Sequence, residues 1–168
     1  MPKQIPLDGF TSVLFDLLAE TFANVRCMYL DKGTSLFETL EQVSAEEASR
    51  RASERCASIA AHVKHASFYM RIVQNSMLKR EVGKVDWKEI WRTTREVTPQ
   101  EWEDLKRELR ETHAGVLRTL KAFDAWDGEE DISGALSIVV HTAYHLGAIR
   151  QALCLTKESP RVHGAPRA

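Results

Sequence analysis

Two histidines, His141 and His145, stand four residues apart in "IVVHTAYHLGAIRQALCL", residues 138–155. On an α-helix, positions i and i+4 share one face, so both imidazoles project from the same side of a segment too apolar to be solvated. Gly134, Ser137, Ala148 and Ala152 lie on the same stripe. These neighbours are small and leave space around the two rings. A neutral imidazole in such a place has two uses: it ligates a divalent metal, or it fills the core with its ring nitrogens hydrogen-bonded.

A second histidine segment, "SIAAHVKHASFYM", places His62 on a helical stripe with Ile59, Ala66, Tyr69 and Val73. His65 falls roughly 60° away on the same helix, toward the edge of that stripe. His62 is therefore the expected inward ligand, and His65 the outlier. Three imidazoles from two facing helices make a tripodal site with open positions, the pattern of catalytic zinc. Nickel, iron and manganese also accept such donors. On spacing alone the competing reading, core histidines satisfied by hydrogen bonds, stands level with the metal reading. His113 lies between Leu109 and Val116 in another apolar stripe. A ligand, a neighbouring base and a core residue are all open to it.

Aromatic residues near these histidines are candidate substrate contacts. Tyr69 is two turns from His62 on one side, Tyr144 directly precedes His145, and Trp91 lies in the segment "VDWKEIWR". Packing competes with substrate contact for each of them. Arg55 shares the His62 stripe two turns earlier, and Arg71 lies farther round; both also read as cations lying over apolar surface.

The elements that must carry these groups are helical. Apolar residues from Phe10 to Val25 recur at helical spacing within 7–30. "KGTSLFETLEQVS" reads as a turn and a short helix, with Ser35 and Glu38 as a capping box. A long helix follows the charged stretch 44–55 and ends near Leu78. "TPQE" then starts another helix, with Thr98 as N-cap, Pro99 at N1 and Glu101 at N3. The last long helix runs from about Ile132 to Lys157, and 158–168 reads as a flexible tail. No segment alternates as a strand would. The expectation is an all-α fold, a single four-helix domain over 1–168.

Bulk properties narrow the function classes. A formal net charge of −1 over 168 residues gives no field that would draw the chain to nucleic acid or to an anionic membrane. Three widely spaced cysteines argue against a disulfide framework and for a reducing compartment; Cys56 and Cys154 read as small packing residues. The first ten residues lack the apolar core of a signal peptide, and no uninterrupted apolar run reaches the ~18 residues of a membrane span. The expected location is the cytoplasm. The last helix has a second apolar side, with Val139, Ala143, Leu146, Leu153 and Cys154, while Ala143 and Gly147 permit close helix approach. That side predicts a homodimer.

The segment "HTAYHLGAIRQAL", preceded by "SIAAHVKHASFY", resembles the DinB/YfiT-like superfamily of metal-binding four-helix bundles. "VDWKEIWR" and "VTPQEWEDLKRELR" are similar to the middle of that family as well. The resemblance implies a metal held by His62, His141 and His145, the family's first ligand falling on the His62-Val63 pair; His113 is not carried over. It implies a divalent cation, zinc or nickel first, then iron or manganese. It also implies transfer of a low-molecular-weight thiol to a small electrophile. The alternatives are metal-dependent hydrolysis and a non-catalytic, metal-stabilised stress or binding protein. Helix 132–157 carries no Asp or Glu before Glu158, so no carboxylate base accompanies its histidines. That absence favours the thiol reaction over hydrolysis.

Overall fold

The computed structural model describes residues 6–126 and 128–157, and the expected tail 158–168 lies outside the described residues. These residues form seven helices and no strand: α1 (Leu7–Phe22), α2 (Leu36–Glu41), α3 (Ala45–Ser49), α4 (Ile59–Met77), α5 (Glu89–Thr93), α6 (Pro99–Lys121) and α7 (Glu129–Lys157).

Local chemistry sets most of the starts. Ser35 with Glu38, Ser44 with Glu47 and Thr98 with Glu101 form reciprocal capping boxes ahead of α2, α3 and α6. Ser58 caps α4 by accepting the Ala61 N–H at 3.2 Å. The first and third boxes are the ones expected from sequence. The second shows that part of the charged stretch 44–55 is itself a short helix.

α1 buries Leu14, Leu18 and Phe22, one turn apart. It ends at Phe22 rather than continuing to residue 30. The reason lies in Glu20, whose buried carboxylate accepts four backbone N–H groups, from Arg26, Met28, Tyr29 and Leu30, at 2.6 to 3.0 Å. Those amides thereby gain a charge-assisted partner outside any helix, and the chain turns back.

α4 packs on both α6 and α7, and α1 packs on α7. α6 contributes Trp102, Leu109, Val116 and Leu120 to the core, and the Trp102 indole donates to the Val43 carbonyl at 2.7 Å. At Gly134, α7 comes so close to α4 that a Cβ would lie 2.9 Å from Met77 Cγ. Close approach there anchors one end of the α4–α7 pair, and the histidines lie farther along the same pair.

α7 departs from expectation in two ways. Its second apolar side is partly closed within the chain, since Val139 and Leu146 are buried. The exposed apolar stripe is instead Leu136, Val140, Tyr144 and Leu155. Second, α7 is long and apolar enough to span a membrane by length and composition. Residues 132–149 hold no charge, although Ser133, Ser137, His141, Thr142 and His145 interrupt the apolar run. Only 39% of the most apolar window is buried within the fold.

Candidate metal centre and its cavity

α4 and α7 bring four histidines together. One ring nitrogen from each of His65, His141 and His145 lies within 4.8 Å of the others. His141 Nε2 and His145 Nε2 are 3.1 Å apart. Two nitrogens on one tetrahedral zinc would stand about 3.3 Å apart, so the pair is already spaced for a shared cation. His65 faces both rings, with centroids 5.1 Å from His141 and 4.9 Å from His145.

His62 stands outside that trio. Its Nδ1 lies 2.9 Å from Nδ1 of His145, on the opposite ring nitrogen from the one His141 approaches. The burial order also reverses the expected one: His65 is buried at 7% exposure, whereas His62 is half-buried. The cause is the position of α4 between α6 and α7. A helix packed on two sides buries a wide arc, here Ile59, Ala60, Ala61, Val63, His65, Ala66, Ser67 and Met70. The middle of a single stripe then says little about which histidine meets α7.

The electrostatics suit neutral ligands. Burial, reinforced by neighbouring histidines, lowers His62 and His141 to about 4 and His145 to about 3. Burial also lowers His65. His65 Nδ1 is buried without a hydrogen-bond partner, and such an orphan costs free energy unless something completes it. An uncharged, closely spaced set of ring nitrogens is a donor set that a divalent cation would fit.

The cluster opens on a cavity of about 620 Å³, lined by His62, His65, His141 and His145 together with Trp91, Tyr144 and smaller residues. Trp91 leans over the histidines, 4.5 Å from the His65 ring and 5.4 Å from His62. Tyr144 touches His145 edge-on at 5.1 Å and is 71% exposed. Tyr69 is not part of the cavity wall. It stacks on His141, with centroids 3.7 Å apart and planes 17° from parallel, and so backs a ligand ring.

Sequence reasoning missed the other walls. Ala52, Cys56 and Ala57 come from the loop before α4, and Gln151 from the end of α7. The loop residues carry no periodic signal that could have flagged them. Cys27, Cys56 and Cys154 are all exposed, so Cys56 and Cys154 are not core packing residues. Arg71, the other cation singled out, pairs with Glu108 at 2.7 Å. His113 lies elsewhere, stacked on Phe22 with centroids 4.1 Å apart. No carboxylate lines the cavity among the described residues.

No family model, curated protein or solved structure matches this chain.

Proposed function

We propose that this chain is a divalent-metal-dependent enzyme that transfers a small thiol to an electrophilic carbon. The observation that carries the reading is a trio of neutral imidazoles on the wall of an apolar cavity without a carboxylate. Its resemblance to the DinB/YfiT-like bundles supports the same reading, with α1, α4, α6 and α7 as the four bundle helices.

His65, His141 and His145 would hold the cation, zinc or nickel before iron or manganese. A cation there would supply Lewis acidity, lowering the pKa of a bound thiol enough for it to ionise at neutral pH. The chain's own groups then have distinct tasks. Trp91 and Tyr144 wall the cavity and limit water around the electrophile. Tyr69 holds the His141 ring by stacking, and His62 holds His145 by hydrogen bonding. In the transfer the thiol proton passes to water, the sulfur–carbon bond forms, and the leaving group departs with its bonding pair. Hydrolysis would add a need to orient and deprotonate water, and the cavity offers no carboxylate for it.

The proposed setting is the cytoplasm, without nucleic-acid or membrane partners. The proposed assembly is a homodimer through the exposed stripe of α7.

The test is metal analysis of protein prepared without chelator or affinity-tag metal, followed by turnover with several thiols and model electrophiles. Metal at one per chain, with thiol-dependent loss of the electrophile, is the expected result. Metal-dependent cleavage of activated esters with no thiol turnover would replace this reading by the hydrolase. Inactivity in both assays would leave a non-catalytic, metal-stabilised binding protein.

A further inference from the structure

A second, smaller cavity of about 270 Å³ adjoins the histidine cavity. Cys56, Ala57 and Trp91 line both, so the two share a wall and Trp91 stands at the join. Their chemistry differs sharply. No Asp, Glu, Lys or Arg lines the histidine cavity, whereas Arg51, Arg55 and Arg95 line the smaller one, against a single glutamate, Glu54.

Elsewhere Arg71 pairs with Glu108, Arg92 with Asp86 and Arg110 with Glu41. Arg51, Arg55 and Arg95 make no ion pair among the described residues; Arg51 reaches only the Glu54 carbonyl, at 3.0 Å. Thr94 lines the same cleft, is nine-tenths buried, and has no partner for its Oγ1. The N-terminus of α4, at Ser58, also borders it. Guanidinium forks and the positive end of a helix, beside a buried hydroxyl without a partner, favour an anionic guest, which on a small thiol is a carboxylate.

We propose that this cleft is the anion subsite of the substrate: a carboxylate-bearing thiol lies across Trp91, with its sulfur toward His65, His141 and His145 and its carboxylate among Arg51, Arg55 and Arg95. The proposal rests on the thiol reading above and deepens it. It selects thiols with an acidic group a few bonds from sulfur over neutral alkyl thiols, which find no polar partner in the cleft.

The experiment uses the full chain loaded with cobalt and two ligands that differ only in charge, 3-mercaptopropionate and 3-mercaptopropanamide. Cobalt–thiolate absorption reports sulfur binding for both. The carboxylate is expected to bind about 5- to 30-fold more tightly at low salt, an advantage that shrinks as salt rises. In the double variant Arg55→Gln, Arg95→Gln the ratio falls toward one while the amide binds as before. Equal affinities in the unmodified protein overturn the arginine subsite and leave the metal–thiol reading intact. If neither ligand gives thiolate absorption, the metal–thiol reading fails, and the subsite is decided on metal-free protein with butyrate against butyramide. Movement of the Trp91 indole N–H resonance by butyrate alone, lost in the double variant, upholds an anion site there. Equal movement with both, or none, overturns it.

Discussion

His62 Nδ1 lies 2.9 Å from His145 Nδ1, so one of the two must carry the proton and the other must accept it. If His145 uses Nε2 for a cation shared with His141, its Nδ1 keeps the proton and donates to His62. That fixes His62 as the tautomer protonated at Nε2. Ligating histidines commonly donate their second nitrogen to an oxygen acceptor. Here another imidazole takes that place.

This geometry ranks the histidines. His65→Ala and His141→Ala should each abolish stoichiometric metal, because either removes one corner of the trio. His62→Ala should leave a weakened site, about 10- to 100-fold lower in affinity, since it removes only the group that orients His145. Titration of each purified variant with zinc against a chromophoric chelator checks the order. Complete loss in His62→Ala with retention in His65→Ala would return the ligand role to the residue that sequence phase favoured.

The burial order of His62 and His65, the reverse of the expected one, shows where legibility ends. Helix starts were readable because a cap is a contact among neighbours: Ser35 with Glu38, and Thr98 with Glu101. The pairing of His141 with His145 was readable because it is fixed by one helix's geometry. The choice between His62 and His65 depends on how α4 is rotated between two partner helices, and two partners erase the single apolar stripe that phase is read from. The cleft that joins Arg55, singled out from sequence, with Arg51 and Arg95 was unreadable for another reason. It is built from the loop before α4 and the turn after α5, which no periodicity relates.

Glu20 supplies a test of loop anchoring. Burial pushes its carboxyl up, but the four backbone N–H groups outweigh that and hold it down at about 2. A lowered carboxyl stabilises the fold above the unfolded value of about 4.5, and that contribution is lost as pH falls toward 2. Glu20→Gln turns an amide NH2 against two of those N–H groups. Amides in 26–30 should then exchange with deuterium roughly tenfold faster or more, and the melting temperature should drop. Unchanged protection in that loop would mean the loop is held by other contacts.

His113 acts in a different pH window. It is 8% exposed, stacked on Phe22, edge-on to Phe37, and its Nε2 has no partner. Burial lowers it to about 4. The unfolded chain therefore takes up this proton first, near 6.5, and stability falls as pH drops from there to about 4, below which the loss levels off. The full difference is about 3 kcal/mol. His113→Leu should lessen the acid-induced loss between pH 6.5 and 4, measured by urea unfolding across that range. The four clustered histidines add their own loss in the same window, so the variant flattens the profile without abolishing it. An identical profile in the variant would show that His113 keeps its ordinary affinity for protons.

The exposed stripe of α7 tests the proposed dimer. Leu136, Val140 and Tyr144 are spaced by four residues and are 39%, 68% and 71% exposed, and Gly147, one turn on, has open space where a Cβ would be. Spacing of three and four along a helix is what two helices need to pack side by side, and small residues allow close approach. Burying Val140 and Tyr144 would each contribute about 1.5 to 3 kcal/mol, and a buried unpaired carboxylate would cost at least as much. Val140→Glu should therefore convert a dimer at micromolar concentration into a monomer in sedimentation, with helix content unchanged because Val140 faces outward. Tyr144 and Leu155 belong both to this stripe and to the cavity wall. A second copy would then cover part of the cavity mouth, and the monomeric variant should bind metal normally but admit a small polar quencher to Trp91 more readily. Unmodified protein that sediments only as a monomer would remove the dimer and leave the cavity open to solvent on that side.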